Sequence, residues 1–161
     1  PGPRANDPSA TEDDYADFMI RYLAIALCSG MVERVYWWRL VARGFGLVDD
    51  TAPNAWRARP AYDMLKTFLS LLSGGVYEAR LPSPKGCYAL RFRRPGRSAL
   101  IVAWSAAGPQ DWKPPFVCEQ ALDAFGRKIN TPTQLTGRPI FLAARGAPDE
   151  RIHQGAASSS L

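Results

Sequence analysis

Few side chains in this sequence are suited to nucleophilic or metal chemistry. The one histidine, His153, lies in a polar stretch near the end, and the three cysteines, Cys28, Cys87 and Cys118, are far apart. A structural zinc site needs four ligands at short paired spacings, and Ser-His-Asp or Cys-His catalysis needs a histidine in the folded part. The sequence therefore predicts no metal site and no catalytic residue of these kinds, and we expect the cysteines to be buried thiols.

Aromatic and charged residues in the first half of the chain are the better candidates for ligand contact. A short run holds Trp37, Trp38 and Arg39, and the loop after it holds Phe45 and the acidic pair Asp49 and Asp50. An indole offers a large flat π-surface on which an apolar ligand face can stack. Adjacent carboxylates rarely converge on one substrate atom, so we interpret the acidic pair as solvated or hydroxyl-binding groups.

Three elements position these residues. Thr11 and Asp14 make a capping-box-like start, and the apolar spacing that follows predicts a helix of about 18 residues that stops at Gly30. Residues 32–40 are dense in β-branched and aromatic side chains on both faces, which predicts a parallel strand buried from both sides. Pro60 suits the first position of a second helix, which Gly74 and Gly75 end.

From residue 76 onward the spacing of apolar residues changes from the 3.6-residue period of a helix to the two-residue period of a strand. Residues 88–92 and 99–104 form a predicted hairpin around Pro95 and Gly96, and further strands are expected near 116–122 and 139–143. The sequence thus predicts a loop over 1–10, an α/β unit over 11–75, a small antiparallel β-domain over 76–144 and a disordered tail over 145–161.

The charge distribution and the apolar runs of the sequence argue against two classes, nucleic-acid-binding proteins and membrane-spanning proteins. The net charge of +5 is spread along the chain except for a cluster of four arginines, Arg91, Arg93, Arg94 and Arg97. We interpret this cluster as a solvated hairpin edge, and polyanion binding is the alternative; no nucleic-acid-binding module is recognised. No apolar run reaches the roughly 18 residues of a membrane span. A start at Pro1, without Met or a signal peptide, favours a fragment and leaves localisation open.

The order of these elements resembles the end of a (β/α)8 glycoside hydrolase of the large retaining clan. Residues 35–40, 44–49 and 59–62 look like the eighth strand, its loop and the eighth helix. The helix before them is similar to the seventh helix, and residues 88–92, 102–104, 123–126 and 139–142 resemble the accessory β-sandwich that follows such barrels. At 161 residues the chain is far shorter than a barrel of about 250.

The resemblance implies a fold, a reaction and a set of site residues. The fold would be α/β plus all-β: the last helix–strand–helix unit of a (β/α)8 (TIM) barrel, then a small antiparallel β-sandwich. The reaction would be retaining O-glycosyl hydrolysis by two glutamates about 5 Å apart, without metal or organic cofactor. Both glutamates would lie upstream of Pro1, so this chain alone would be inactive and would contain no catalytic residue.

The substrate-binding residues implied here are Trp37, Arg39, Phe45 and Asp49. Trp37 matches the family's tryptophan beneath the sugar whose bond is cut, and Arg39 shares its face by the two-residue period. Trp38 is expected to pack against the helices, although a one-residue error in register would exchange these roles, and both tryptophans could instead be core residues. Phe45 and Trp56 would either stack on sugars or pin the loop to the body.

The expected partners follow from the same resemblance. They are an oligo- or polysaccharide substrate and the missing N-terminal part of the barrel, with self-association of the isolated chain as a consequence of the open strand edges. Neither nucleic acid nor a membrane is expected. The alternative function is a non-catalytic carbohydrate-binding or interaction module, which predicts exposed rings at Trp104 or Trp112. The sugar and the linkage do not follow from the sequence.

Overall fold

The structure is a computed structural model that describes residues 10–42, 46–52 and 54–145. Its helices are α1 (Glu12–Cys28) and α2 (Pro60–Leu72). Its strands are β1 (Val48–Asp49), β2 (Arg57–Ala58), β3 (Val76–Arg80), β4 (Cys87–Arg94), β5 (Arg97–Ser105), β6 (Gln110–Asp111), β7 (Cys118–Leu122), β8 (Lys128–Ile129), β9 (Gln134–Leu135) and β10 (Ile140–Ala144). Apart from Ala10 and Arg145, the predicted N-terminal loop and disordered tail lie outside the described residues.

Both predicted helices are confirmed, and local interactions explain where they begin. The Thr11 hydroxyl accepts a hydrogen bond from the Asp14 amide at 3.1 Å, and the Asp14 carboxylate accepts one from the Thr11 amide at 3.0 Å. This reciprocal capping box satisfies two amides at the start of α1. Pro60 occupies the first turn of α2, where its missing N–H has no consequence. Gly30 and Gly74, both with left-handed φ angles, follow the two ends.

The second half of the chain forms a six-stranded antiparallel sheet in the order β3-β4-β5-β10-β7-β8. The predicted hairpin is confirmed as β4 and β5, and the predicted strands near 116–122 and 139–143 are β7 and β10. Two-stranded ribbons, β1–β2 and β6–β9, complete the described strands.

Two apolar clusters lie on opposite faces of the sheet. On one face α1 and α2 pack through buried side chains such as Met19 and Phe68 against Phe92, Trp104 and Phe141. On the other face a smaller cluster joins the sheet to the β6–β9 ribbon, through residues that include Cys87, Ile101, Trp112, Leu135 and Leu142. The helices and the sheet therefore share one core, and a layer of helices on an antiparallel sheet buries the apolar side of each.

The predicted strand over residues 32–40 is wrong. Residues 32–40 form neither helix nor strand, and the residue that follows them, Val41, makes an isolated parallel bridge to Val48. Arg39 has a left-handed backbone with φ of 63°, which interrupts the extended run. The physical reason is the lack of neighbours: a lone strand has no ladder to complete, however strongly its residues favour one. The chain described here does not close a barrel, and the barrel unit stays a prediction.

None of the helices in the described part of the chain is long and apolar enough to cross a membrane. The described residues also contain no group of three or more His, Cys, Asp or Glu side chains that could hold a metal ion.

Candidate functional site

The aromatic segment, defined here as residues 32–42, has two different faces. Val35 and Trp37 are half-buried and pack against the helix-side core. The Trp37 indole Nε1 donates a hydrogen bond to the Tyr15 hydroxyl at 3.1 Å, and the two rings meet edge to face at 5.7 Å between centroids. The Tyr22 ring lies 6.3 Å from the same indole. Trp37 is thus fixed to α1 on two sides and has satisfied its only polar group.

The opposite face of the aromatic segment is open. Tyr36 is 81% exposed and Trp38 is 69% exposed, and Leu40 is also exposed on this face. The predicted orientations of the two tryptophans are therefore reversed: Trp37 packs on a helix and Trp38 points outward. Successive residues of an extended chain face opposite sides, so an assignment that is one residue off exchanges every side chain.

Arg39 belongs to the open face as well, and not to the face of Trp37 as predicted. Its guanidinium carbon lies 5.5 Å from the Trp38 ring centroid, within the range of a cation–π contact. The left-handed φ at Arg39 explains the change, because it breaks the two-residue alternation on which the prediction depended. The structure therefore brings together an exposed indole and an exposed guanidinium. Phe45 lies outside the described residues.

Asp49 lies at the end of β1 and is held by several donors. One of its oxygens accepts hydrogen bonds from the Thr51 amide at 3.0 Å and the Thr51 hydroxyl at 2.6 Å. The other lies 3.1 Å from the Arg57 guanidinium and 3.3 Å from that of Arg59. The Thr51 hydrogen bonds, with smaller contributions from Arg59 and Arg57, lower the pKa of Asp49 to about 2. Both of its oxygens thus have partners within the chain, and its contact with substrate stays a prediction.

The same arginines connect Asp49 to the beginning of α1. Arg57 makes a two-point contact with the Glu12 carboxylate, at 2.7 and 2.9 Å, and Arg59 lies 3.3 Å from it. Two-point guanidinium–carboxylate pairs fix geometry as well as charge. We call Glu12, Asp49, Arg57 and Arg59 the charged anchor. It ties the β1–β2 ribbon to the first turn of α1, where carboxylates are also favoured by the helix dipole.

The charged anchor predicts a specific pH dependence. The pKa of Asp49 is lower in the folded chain than its ordinary value near 3.8, so its charge stabilises the fold above about pH 4 and that contribution disappears as the pH falls towards 2. Asp49→Asn retains an oxygen for Thr51 and removes the charge. We expect urea unfolding to show the variant less stable than wild type at pH 6, with the difference shrinking steadily as the pH falls from about 4 through 2. A difference that stays constant over this range would contradict the assignment.

The arginine cluster divides into buried and exposed members. Arg91 is buried and its Nε lies 3.0 Å from the Glu78 carboxylate. Arg94 is buried too, and it donates to the Leu71 carbonyl at 3.0 Å and to the Ser98 carbonyl at 2.6 Å, while its burial lowers its pKa. The prediction of a solvated edge is correct for Arg93 and Arg97 and wrong for the other two. Two of the four cations therefore serve the fold, one of them by satisfying a carbonyl at the end of α2.

The rings that a binding module would need on the β-domain are buried. Trp104 is 1% exposed, and Trp112 is also buried and donates through Nε1 to the Pro82 carbonyl at 3.3 Å. The exposure predicted by the binding-module hypothesis is thus wrong for both. Of the three free cysteines, Cys87 is buried as expected, whereas Cys28 and Cys118 are half-buried. Burial raises the pKa of the Cys28 thiol to about 12.

Sequence reasoning missed two features of this region. Tyr36 was not recognised as part of the open face, because alternation tells which residues share a face but not which face meets the core. The charged anchor was also missed, because Glu12 and Arg57 are 45 residues apart and only the tertiary fold brings them together. The two-residue spacing of Arg57 and Arg59 on an extended chain is the one signal that was available.

Comparison of the sequence with protein-family models and with curated proteins gives no match. Among solved structures, the chain is similar to a family 39 glycoside hydrolase from the gut symbiont Bacteroides cellulosilyticus WH2, with a TM-score of 0.71 and 17% sequence identity over 87% of this chain. The match spans 32% of the length of that hydrolase chain. This chain therefore shares its fold with about one third of that hydrolase chain.

Proposed function

We propose that this chain is the C-terminal portion of a retaining O-glycoside hydrolase and supplies part of the substrate floor. The observation that carries the proposal is the aromatic segment, which follows α1 and precedes α2 in the chain as a barrel strand would. Among the described residues its only strand-like partner is Val48, bridged to Val41, and Tyr36 and Trp38 are exposed. A barrel strand has this arrangement once its two neighbours are removed, since one face packs on helices and the other faces the barrel interior.

Within such a barrel the open face would meet the substrate. Residues near the carboxyl ends of barrel strands line the active site, and Trp38 is close to the end of this segment. Its indole would stack on the apolar C–H face of a pyranose ring. Arg39, which borders that ring, would donate hydrogen bonds to sugar hydroxyls. We place Trp38 in the role that the resemblance gave to Trp37, because Trp37 is already bound to Tyr15.

The reaction would be a double displacement through a glycosyl-enzyme intermediate. One upstream glutamate would attack the anomeric carbon, while the other would protonate the leaving oxygen and then activate water. Both glutamates would come from the part of the enzyme that precedes this chain, and the chemistry itself calls for no metal or organic cofactor. The contribution of residues 32–42 would be to orient the sugar ring between the two carboxylates, which lowers the entropy lost on reaching the transition state.

The remaining part of the barrel would be the partner of the aromatic segment. Two parallel strands, one at each edge, would pair its backbone groups, and their own side chains would cover Tyr36. Without them, the open edges and exposed aromatic rings favour association between copies of the isolated chain.

The test compares the 161-residue chain with the complete enzyme encoded by the extended reading frame. We expect the complete enzyme to hydrolyse members of an aryl-glycoside panel with retention at the anomeric carbon, and the 161-residue chain to hydrolyse none. The product configuration is followed by NMR during the first turnover. Hydrolysis by the short chain that is abolished by mutation of one of its own carboxylates would overturn the proposal, as would an extended enzyme without glycosidase activity.

A further inference from the structure

We infer that Trp56 forms an outer sugar-binding subsite, which contacts a glycan several residues away from the sugar over Trp38. This inference rests on the proposed function and adds a substrate class, oligosaccharides long enough to reach this subsite. Trp56 is 70% exposed, so it does not pin its loop to the body, which was the alternative considered from the sequence.

The β1–β2 ribbon places Trp56 at the mouth of the proposed site. The Val48 amide donates to the Leu40 carbonyl at 2.8 Å, and the Ala42 amide donates to the Val48 carbonyl at 3.3 Å, so β1 runs parallel to the end of the aromatic segment. On its other side β1 pairs with β2, with Asp49 opposite Arg57. Trp56 immediately precedes Arg57 in the chain. Because β2 is antiparallel to β1, Trp56 lies beyond the carboxyl end of the aromatic segment, which is the end where (β/α)8 enzymes bind substrate.

The spacing of the strands separates Trp56 from Trp38. Trp38 lies in the aromatic segment and Trp56 lies next to β2, two strand spacings to the side. Trp56 is also several residues further along the strand direction, so the two backbones are on the order of 15 Å from each other. A single sugar ring cannot contact both indoles across that distance. Trp56 would therefore act on extended substrates only.

The charged anchor fixes the backbone that carries Trp56. Arg57, its direct neighbour, makes the two-point contact with Glu12, and the Arg59 amide donates to the Leu47 carbonyl at 2.9 Å. Successive side chains of an extended chain point to opposite sides, so Trp56 points away from the contact of Arg57 with Glu12. An exposed aromatic ring on a fixed backbone loses little conformational freedom when it binds a ligand, which favours its use as a recognition platform.

The test uses the complete enzyme and two substrates of the same sugar: an aryl monoglycoside and the corresponding hexasaccharide. Loss of one stacking contact is expected to raise KM for the hexasaccharide about threefold to tenfold in Trp56→Ala, with kcat unchanged. KM for the monoglycoside should not change. Trp56→Phe keeps a stacking ring and should restore most of the hexasaccharide affinity, while the melting temperatures of both variants should match wild type.

Equal KM values for wild type and Trp56→Ala on the hexasaccharide would overturn the inference and leave the proposed function intact. A parallel loss on both substrates, or a lowered melting temperature, would show a structural role for Trp56 and overturn it as well. An enzyme that hydrolyses neither substrate nor any member of the aryl-glycoside panel would remove the proposed function, and this inference with it.

Discussion

Trp104→Ala is expected to lower the free energy of unfolding of the 161-residue chain by about 3–5 kcal/mol. Trp104 lies one residue before the end of β5, with 1% of its surface exposed, and its ring stacks on Tyr88 at 4.8 Å between centroids and 8° between planes. The two residues are direct partners across β4 and β5, and the Arg80 guanidinium covers the other side of the Tyr88 ring at 4.5 Å. Removal of the indole would leave a large cavity between the sheet and the helices.

Urea unfolding followed by circular dichroism measures this loss, and Trp56→Ala is its matched control. Both variants remove an indole, but Trp56 is exposed and its removal should change the free energy of unfolding by no more than about 0.5 kcal/mol. Similar values for the two variants would contradict the placement of Trp104 in the core. The same result would reopen the binding-module hypothesis, which needs this ring at the surface.

Trp38→Ala in the complete enzyme is expected to lower kcat/KM for an aryl glycoside by about tenfold to hundredfold, or about 1.4–2.8 kcal/mol. The reason is the loss of the platform beneath the reacting sugar, which the structure presents as an indole 69% exposed beside the Arg39 guanidinium. Steady-state kinetics with one substrate measures the change. The melting temperature should remain close to that of wild type, because Trp38 contributes little to the core.

Trp37→Phe is the comparison that decides which tryptophan meets the sugar. It keeps an aromatic ring against α1 and removes the hydrogen bond to Tyr15, so we expect a loss of about 1 kcal/mol in stability and an unchanged kcat/KM. The reverse pattern, with activity lost in Trp37→Phe and retained in Trp38→Ala, would return the substrate-binding role to Trp37.

The elements predicted well from the sequence are those whose cause is local. The start of α1 depends on Thr11 and Asp14, three residues apart, and the start of α2 on Pro60. The hairpin of β4 and β5 depends on alternation around a Pro-Gly turn. In each case the interacting groups are neighbours in the chain, so their pattern is visible before the chain folds.

The aromatic segment shows where such reasoning ends. Its composition predicts an extended chain, and the half-buried Val35 and Trp37 alternate with the exposed Tyr36 and Trp38 as that prediction implies. Pairing into a sheet cannot be predicted from composition, because it needs a neighbouring strand. In the described part of the chain only Val48 pairs with this segment, at one end. The orientation of the two faces depends on where α1 lies, which no local pattern encodes.

The candidate site divides in the same way. The sequence predicted sugar contacts for Trp37, Arg39, Phe45 and Asp49 and a packing role for Trp38. The assignment of each role came from contacts across long separations: Trp37 with Tyr15, 22 residues away, and Arg57 with Glu12, 45 residues away. The buried arginine Arg94 belongs to the same group, since its carbonyl partner at Leu71 lies 23 residues earlier.

The sequence by itself determined the two helices and the main strands of the sheet. Those properties depend on residue types and on spacings of a few residues. The tertiary structure alone decided which tryptophan is exposed, that the acidic loop residue Asp49 belongs to the charged anchor, and that the described residues pair with the predicted strand only at its end, through Val48. Each of these depends on what lies next to a side chain in space, and packing of α1, the β1–β2 ribbon and the sheet determines those neighbours only when the chain is folded.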